Sequence, residues 1–259
     1  MTAETDARAG RPASPGGGEP PAETGRGAPI GRRVLLGMLA AGAVGIVAGR
    51  RIQNGFDAVL NPIVANDPTG LTSLIPGGDT WRIYTVTDGY PSVSPADYRL
   101  RVDGRVDEAL NLSLADLQSM PPTSMIKDFQ CVTGWRVKGV RWQGVLLSDV
   151  LDRAGVQPSG IALRFESYDG LYTESLTLDQ ARRGDMIVAY AMDGGPVSKA
   201  HGGPVRLYAA PMYGYKSCKW LSRVAVVSQV EPGYWERVGN YDVDAWVGRS
   251  NGRSDPATS

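Results

Sequence analysis

From residue 98 onward the chain breaks into short apolar runs separated by turn-forming residues, with only brief helical stretches between them, and this pattern limits the fold more than any other feature. Tyr98 to Val102 alternates Tyr, Leu and Val with arginines, then turns at Asp103-Gly104 into Arg105-Val106, the pattern of a hairpin with a two-residue loop. Ser113-Leu114-Ala115-Asp116 opens a short helix behind an N-cap, and Pro121-Pro122 stops it. Val140 to Trp142 reads as a strand. Leu147, Val150, Leu151 and Ala154 recur at helical spacing ahead of Gly155, which gives an amphipathic helix with a C-terminal glycine. Ile161 to Ser167 and Leu171 to Ser175 form a second pair around Asp169-Gly170, and Thr177-Leu178-Asp179-Gln180 is a capping box for a helix ended by Gly184. Met186 to Met192, Val205 to Ala209 and Trp220 to Ser228 add further strands. Many short strands with a few short helices specify an α+β fold with mixed sheets.

Regular βαβ alternation is absent, no G-x-G-x-x-G stands at a strand-to-helix turn, and there is no P-loop, which argues against NAD and ATP as cofactors. The 27 basic and 27 acidic side chains cancel, so no overall field draws the chain to nucleic acid, and none is expected as a partner. Any anion site must be local. At 27.6 kDa the chain can bury one sizeable core, and one catalytic domain is expected.

Residues 1–31 mix Gly, Pro, Ala, Ser and Thr with scattered charges and hold almost no large apolar side chain, the composition of a disordered extension. Residues 32–51 begin with Arg32-Arg33, continue through an apolar Gly/Ala-rich stretch and end at Arg50-Arg51. The stretch resembles a twin-arginine export signal, and no clear small-x-small cleavage site follows, so it reads as a signal or a retained anchor. That places the chain at the outer face of the cytoplasmic membrane or in a periplasm-like space. Residues 52–78 are dense in turn formers and read as a linker, 79–235 as the catalytic domain, and 236–259 as a tail packed back by aromatics such as Trp246.

Cys131, in Phe129-Gln130-Cys131-Val132-Thr133-Gly134-Trp135, has three readings: buried filler, nucleophile or metal ligand. Two cysteines are too few for a disulfide scaffold, and no C-x-x-C pair suggests zinc. A Cys131–Cys218 disulfide, formed in an oxidising compartment, would remove the thiol as a ligand. His201 is the sole histidine, so a Cys-His hydrolase would have to use that pair, but the flanking signature of cysteine proteases is missing. Two further stretches are glycine-rich and cationic: His201-Gly202-Gly203-Pro204-Val205-Arg206 and Gly214-Tyr215-Lys216-Ser217-Cys218-Lys219-Trp220. Glycines admit close backbone approach, and arginine forks with exposed amides bind phosphate, so these two could cradle a phosphorylated cofactor.

A strand-end cysteine followed by these two segments, in this order, resembles the molybdopterin-binding domain of the sulfite oxidase family over roughly Thr80 to Val230. The resemblance implies a molybdenum-molybdopterin cofactor, with Cys131 as the single protein sulfur ligand to the metal. It implies pterin and phosphate contacts at His201 and Arg206, and a loop of Ser217, Cys218 and Lys219 closing on the phosphate. Thr87 and Tyr90 fall where the family lines the cofactor and substrate mouth, Tyr90 being a hydrogen-bond donor there, and Ser167 on a further pterin contact. Sulfite oxidases proper follow their cysteine with Ala-Gly-Asn-Arg. Here the run is Val132-Thr133-Gly134-Trp135-Arg136, closer to the catalytic subunit of the periplasmic methionine-sulfoxide reductases. Those reductases carry Asn-Asn-Phe-Tyr-Glu where this chain has Thr87-Asp88-Gly89-Tyr90-Pro91. The expected activity is therefore oxygen-atom transfer by a monomeric catalytic subunit, reducing a small-molecule or protein-bound S-oxide such as methionine sulfoxide. Sulfite oxidation is the alternative, and a metal-free membrane-tethered binding module is the alternative of a different class. A membrane or periplasmic electron-transfer partner such as a cytochrome is implied.

Overall fold

The computed structural model describes residues 29–30 and 81–258. The proposed signal or anchor and the linker lie outside the described residues, as does most of the N-terminal extension. Within that extension Pro29–Ile30 (β1) pair in parallel with Ile83–Tyr84 (β2).

Two five-stranded sheets make the body. In the first, Thr123–Gln130 (β5) pairs antiparallel with the eleven-residue Arg136–Leu146 (β6), which pairs with Met186–Met192 (β9). Gly195–Pro196 (β10) and Arg206–Ala209 (β11) both pair with β9. The second sheet runs, in spatial order, Leu110–Ser113 (β4), Arg99–Gly104 (β3), Leu221–Val227 (β12), Ala162–Ser167 (β7) and Thr173–Thr177 (β8). Its one parallel pairing joins β12 to β3, with Val224 opposite Val102, so the sheet is mixed. The fold is α+β.

Short helices follow the strands where their caps dictate. Ser113 starts Leu114–Ser119 (α1) with a capping box: its hydroxyl accepts from Asp116 N–H while Asp116 accepts from Ser113 N–H. Leu147–Ala154 (α2) buries Leu147, Val150, Leu151 and Ala154 and stops at Gly155, which is left-handed at φ 69°. Thr177 and Gln180 form the second capping box, at Leu178–Ala181 (α3). Tyr234–Gly239 (α4) is the last helix among the described residues.

Two local expectations change. Asp103-Gly104 is no hairpin turn, because Gly104 stays in β3 opposite Val226 and the connection to β4 runs through residues 105–109. A Cβ on Gly104 would collide with the Val226 backbone, so the glycine serves the close approach of β12 and not a turn. Val140 to Trp142 is the middle of β6, and its partner β5 went unread. The larger core joins both sheets and α2 through residues such as Leu100, Phe165, Val188, Val150 and Val224. A smaller, aromatic core of Phe129, Trp135, Trp142, Ile187 and Tyr208 lies on the first sheet, next to the end of β5.

Candidate active site around Cys131

Residues 131–135 connect β5 to β6. Cys131 N–H donates to Trp135 O (2.9 Å), Gly134 N–H donates to Cys131 O (3.1 Å), and Gly134 takes φ 98°, which a residue with a Cβ would resist. This tight turn holds a half-buried thiol at the wall of a cavity of about 170 Å³, with Sγ 3.2 Å from Thr133 Oγ1. Burial pushes the thiol's pKa up, against the hydrogen bond from Thr133 and the charges of Arg253 and Arg82. The thiolate is therefore not favoured by the protein alone. A soft metal would supply that driving force, since coordination deprotonates a thiol outright.

Both cysteines are free, so no Cys131–Cys218 disulfide forms. Cys218 is fully buried in the larger core. Among the described residues no three His, Cys, Asp or Glu side chains gather as a metal site. A metal at Cys131 would have that one protein sulfur as its ligand.

The opposite side of the cavity is basic. Arg206, buried at the start of β11, donates from Nη1 to His201 O (2.7 Å) and from Nη2 to Ser217 O (3.1 Å), so one guanidinium ties both glycine-rich loops together. Its plane lies over Phe129 and Trp142, 5.6 and 5.4 Å from their centroids. Lys219 Nζ donates to Tyr84 O and sits 4.4 Å from the Trp220 ring centroid. His201 meets the edge of Trp81, 4.7 Å between centroids. Burial and then the Arg206 charge hold His201 down to about 4 and Lys219 down to about 7, and burial holds Arg206 itself down to about 10. Where water is scarce, the Arg206 charge disfavours protonation of His201 and Lys219, and Lys219 adds to the effect on His201. A phosphorylated ligand would restore it.

The fit to a phosphorylated pterin extends to the backbone. A Cβ on Gly202, at φ 99°, would stand 2.6 Å from Lys219 Cβ, so glycine there allows the two loops to meet. Ser217 Oγ accepts from Ala209 N–H (3.0 Å) and braces the second loop on β11. Trp135 is also on the cavity wall, and its indole N–H is buried with no hydrogen-bond partner among the described residues.

Cys131, His201, Arg206, Ser217 and Lys219 thus share one cavity. Thr87, Tyr90, Ser167 and Cys218 do not line it. Thr87 Oγ1 donates to Gly89 O (3.4 Å), Tyr90 packs on Trp220 (5.8 Å), and Ser167 Oγ accepts from Asp169 N–H (3.2 Å). Trp81 and Tyr84 line the cavity from the segment just before Thr87, and Asp169 and Tyr172 line it just after Ser167. Trp235, at the end of the expected catalytic domain, and Tyr241, in the stretch read as a packed tail, also line it. No periodic pattern could have marked them, because the tail's path is set by long-range contacts.

Below the second loop lies a buried ionic cluster. Lys216 Nζ stands 2.6 Å from Glu174 Oε1 and 2.5 Å from Glu236 Oε1, all three side chains almost wholly excluded from water. Burial, with Glu236 beside it, pushes Glu174 up to about 8 despite Lys216. The cluster joins β8 and α4 to the turn that carries Ser217.

Comparison with known proteins agrees with this geometry. An oxidoreductase of Bacillus subtilis, itself uncharacterised, is 32% identical over 163 residues, 60% of this chain and 82% of that protein. The sulfite oxidase of Gallus gallus is 34% identical over 176 residues, 57% of this chain but 38% of the oxidase, so the chain spans well under half of that relative. A candidate protein-methionine-sulfoxide reductase subunit of Azospira oryzae is 27% identical over 178 residues, 67% of each chain. The family model of the oxidoreductase molybdopterin binding domain matches residues 87–235. The chain belongs to this sulfite-oxidase-related family of molybdenum-molybdopterin oxidoreductases.

Proposed function

We propose that the protein carries out two-electron oxygen-atom transfer with Cys131 as metal ligand, and that its working direction is reduction of an S-oxide such as methionine sulfoxide. The observation that carries the reading is the meeting, in one cavity, of a lone thiol and three basic groups, Arg206 buried and His201 and Lys219 partly buried, whose pKa values are all lowered. When bound, the cofactor supplies a metal that exchanges one oxygen atom and two electrons. Cys131 ligates it, while His201, Arg206 and Lys219 balance the phosphate. Trp81, Tyr84 and Trp135 exclude water beside the thiol.

Reduction balances when a sulfoxide takes up two protons and two electrons and yields the sulfide and one water. The electrons come from a separate carrier such as a cytochrome, and the chain acts as a monomeric catalytic subunit. In keeping with the export reading of residues 32–51, the protein works at the outer face of the cytoplasmic membrane. Aromatic walls suit a neutral sulfoxide with an apolar tail, and the Azospira oryzae relative points the same way. Sulfite oxidation is the second reading, favoured by the similarity to sulfite oxidase and by the nearness of Arg82 and Arg253 to Cys131.

Protein from a host that makes molybdopterin should carry about one molybdenum per chain, and Cys131→Ser should lose turnover while its circular dichroism stays native. Parallel assays with methionine sulfoxide and with sulfite choose the substrate. Absence of molybdenum above background would overturn the enzymatic reading in favour of a binding module, and full turnover by Cys131→Ser would overturn the ligand assignment.

A further inference from the structure

The second cationic loop carries two lysines, and the fold sends them in opposite directions. Lys219 lines the cavity, as do Tyr215 and Ser217. Lys216, between them in sequence, turns away and is wholly buried. Its Nζ donates to Glu174 Oε1 on β8 (2.6 Å) and to Glu236 Oε1 on α4 (2.5 Å). Each carboxylate is itself tied to backbone. Glu174 Oε1 also accepts from Ser175 N–H (2.8 Å), and Glu236 Oε2 accepts from Gly233 N–H (2.5 Å), which caps the first turn of α4. The ammonium is thus fixed from two separate elements.

The backbone it belongs to is too short to hold its own shape. Gly214–Lys216 is a single 3₁₀ turn with no side-chain cap, closed by Ser217 N–H donating to Gly214 O (3.1 Å). Arg206 and Ala209 N–H brace Ser217 from the β11 side. On the other side the braces are the ionic cluster and Tyr172 OH, which donates to Tyr215 O. Charge-assisted hydrogen bonds are strong and directional, so they fix how the turn is rotated. Apolar side chains of the same size would fill the space without fixing that rotation.

We propose that Lys216 is a positioning residue for the cofactor: held by Glu174 and Glu236, it latches the Gly214–Lys216 turn so that Ser217 and Lys219 face the cofactor's phosphate. The proposal rests on the reading of the cavity as a phosphorylated-cofactor site. It divides the labour within the loop, one lysine meeting the phosphate and the other holding the loop in place. If the unlatched turn keeps the competent geometry in about one molecule in ten, apparent phosphate affinity falls about tenfold.

The test uses the full-length, cofactor-free chain and two measurements: pyrophosphate affinity by calorimetry at pH 7, and hydrogen exchange at the Lys216 and Ser217 amides, with the amides of α2 as reference. A triple variant, Lys216→Met with Glu174→Leu and Glu236→Gln, removes every charge of the cluster while its glutamine still caps α4. It should bind pyrophosphate about tenfold more weakly and exchange the two turn amides about tenfold faster, with α2 unchanged. Glu174→Gln keeps an acceptor for Lys216 and imitates the neutral acid that burial favours, so it should stay within about twofold of wild type on both counts. If the triple variant does not fold, Glu174→Leu, which keeps the Lys216–Glu236 pair, is read by the same two measurements. Affinity and exchange within about twofold of wild type in the variant read would overturn the latch, and a loss in Glu174→Gln equal to that in Glu174→Leu would overturn positioning by hydrogen bonding. Absence of pyrophosphate binding in the wild type would instead overturn the phosphate reading, and exchange would still report whether the turn is latched.

Discussion

Lys219 makes the site's need for an anion measurable. Its folded pKa of about 7 lies below the ordinary lysine value of 10.5, so between those limits the unfolded chain binds more protons and the cofactor-free fold gains stability as pH rises. Glu174, raised from 4.5 to about 8, has the opposite sign and removes stability as pH climbs through that window. A phosphate bound beside Lys219 restores its charge. At about pH 8, one unit above the folded pKa, pyrophosphate binding to the cofactor-free protein should therefore take up a fraction of a proton approaching one. Calorimetry in buffers of different ionisation enthalpy reads this, and Lys219→Met should abolish it. The five residues that meet in the cavity were legible because each sits in a glycine-punctuated loop whose chemistry is local. Trp81, Tyr84 and Tyr241 were not, since a wall residue is defined by what the fold brings opposite to it.

At the level of elements, the two cationic loops depend on glycine where they touch. Gly202→Ala puts a methyl group against Lys219 at a backbone angle that disfavours side chains, a strain of about 1–3 kcal/mol. It should lower the melting temperature and cut molybdenum content severalfold, whereas an alanine at exposed Gly184, which meets nothing, should change neither. Calorimetric melting and metal analysis on the same samples decide this. The N-cap at Ser113, the capping box at Thr177 and the amphipathic α2 could be read from sequence because their signals lie within a few residues. The strand at β3 was read but its end was taken for a turn, because a glycine that serves a neighbouring strand looks like one; β5 was missed because a strand with lysine and aspartate among its apolar residues looks like a loop.

Across the whole molecule, the α+β class followed from counting short strands, but which strands neighbour one another did not, because parallel pairing of β12 with β3 leaves no local trace. The Lys216 cluster is another long-range product, joining residues from β8, the turn before Ser217 and α4. Lys216→Met leaves the carboxyl groups of Glu174 and Glu236 in the core without their cation, and should cost about 3–5 kcal/mol in urea-unfolding free energy. Replacing all three by apolar residues of similar size should recover most of that loss. The place of β12 also governs how the protein is made. Of the described strands it is the last to leave the ribosome, yet it stands at the centre of its sheet between β3 and β7. Until residue 227 emerges, the β3–β4 and β7–β8 hairpins have nothing to join them and present bare edges to other nascent chains. The second sheet thus cannot assemble piecemeal during translation, and its completion waits until most of the polypeptide has been made.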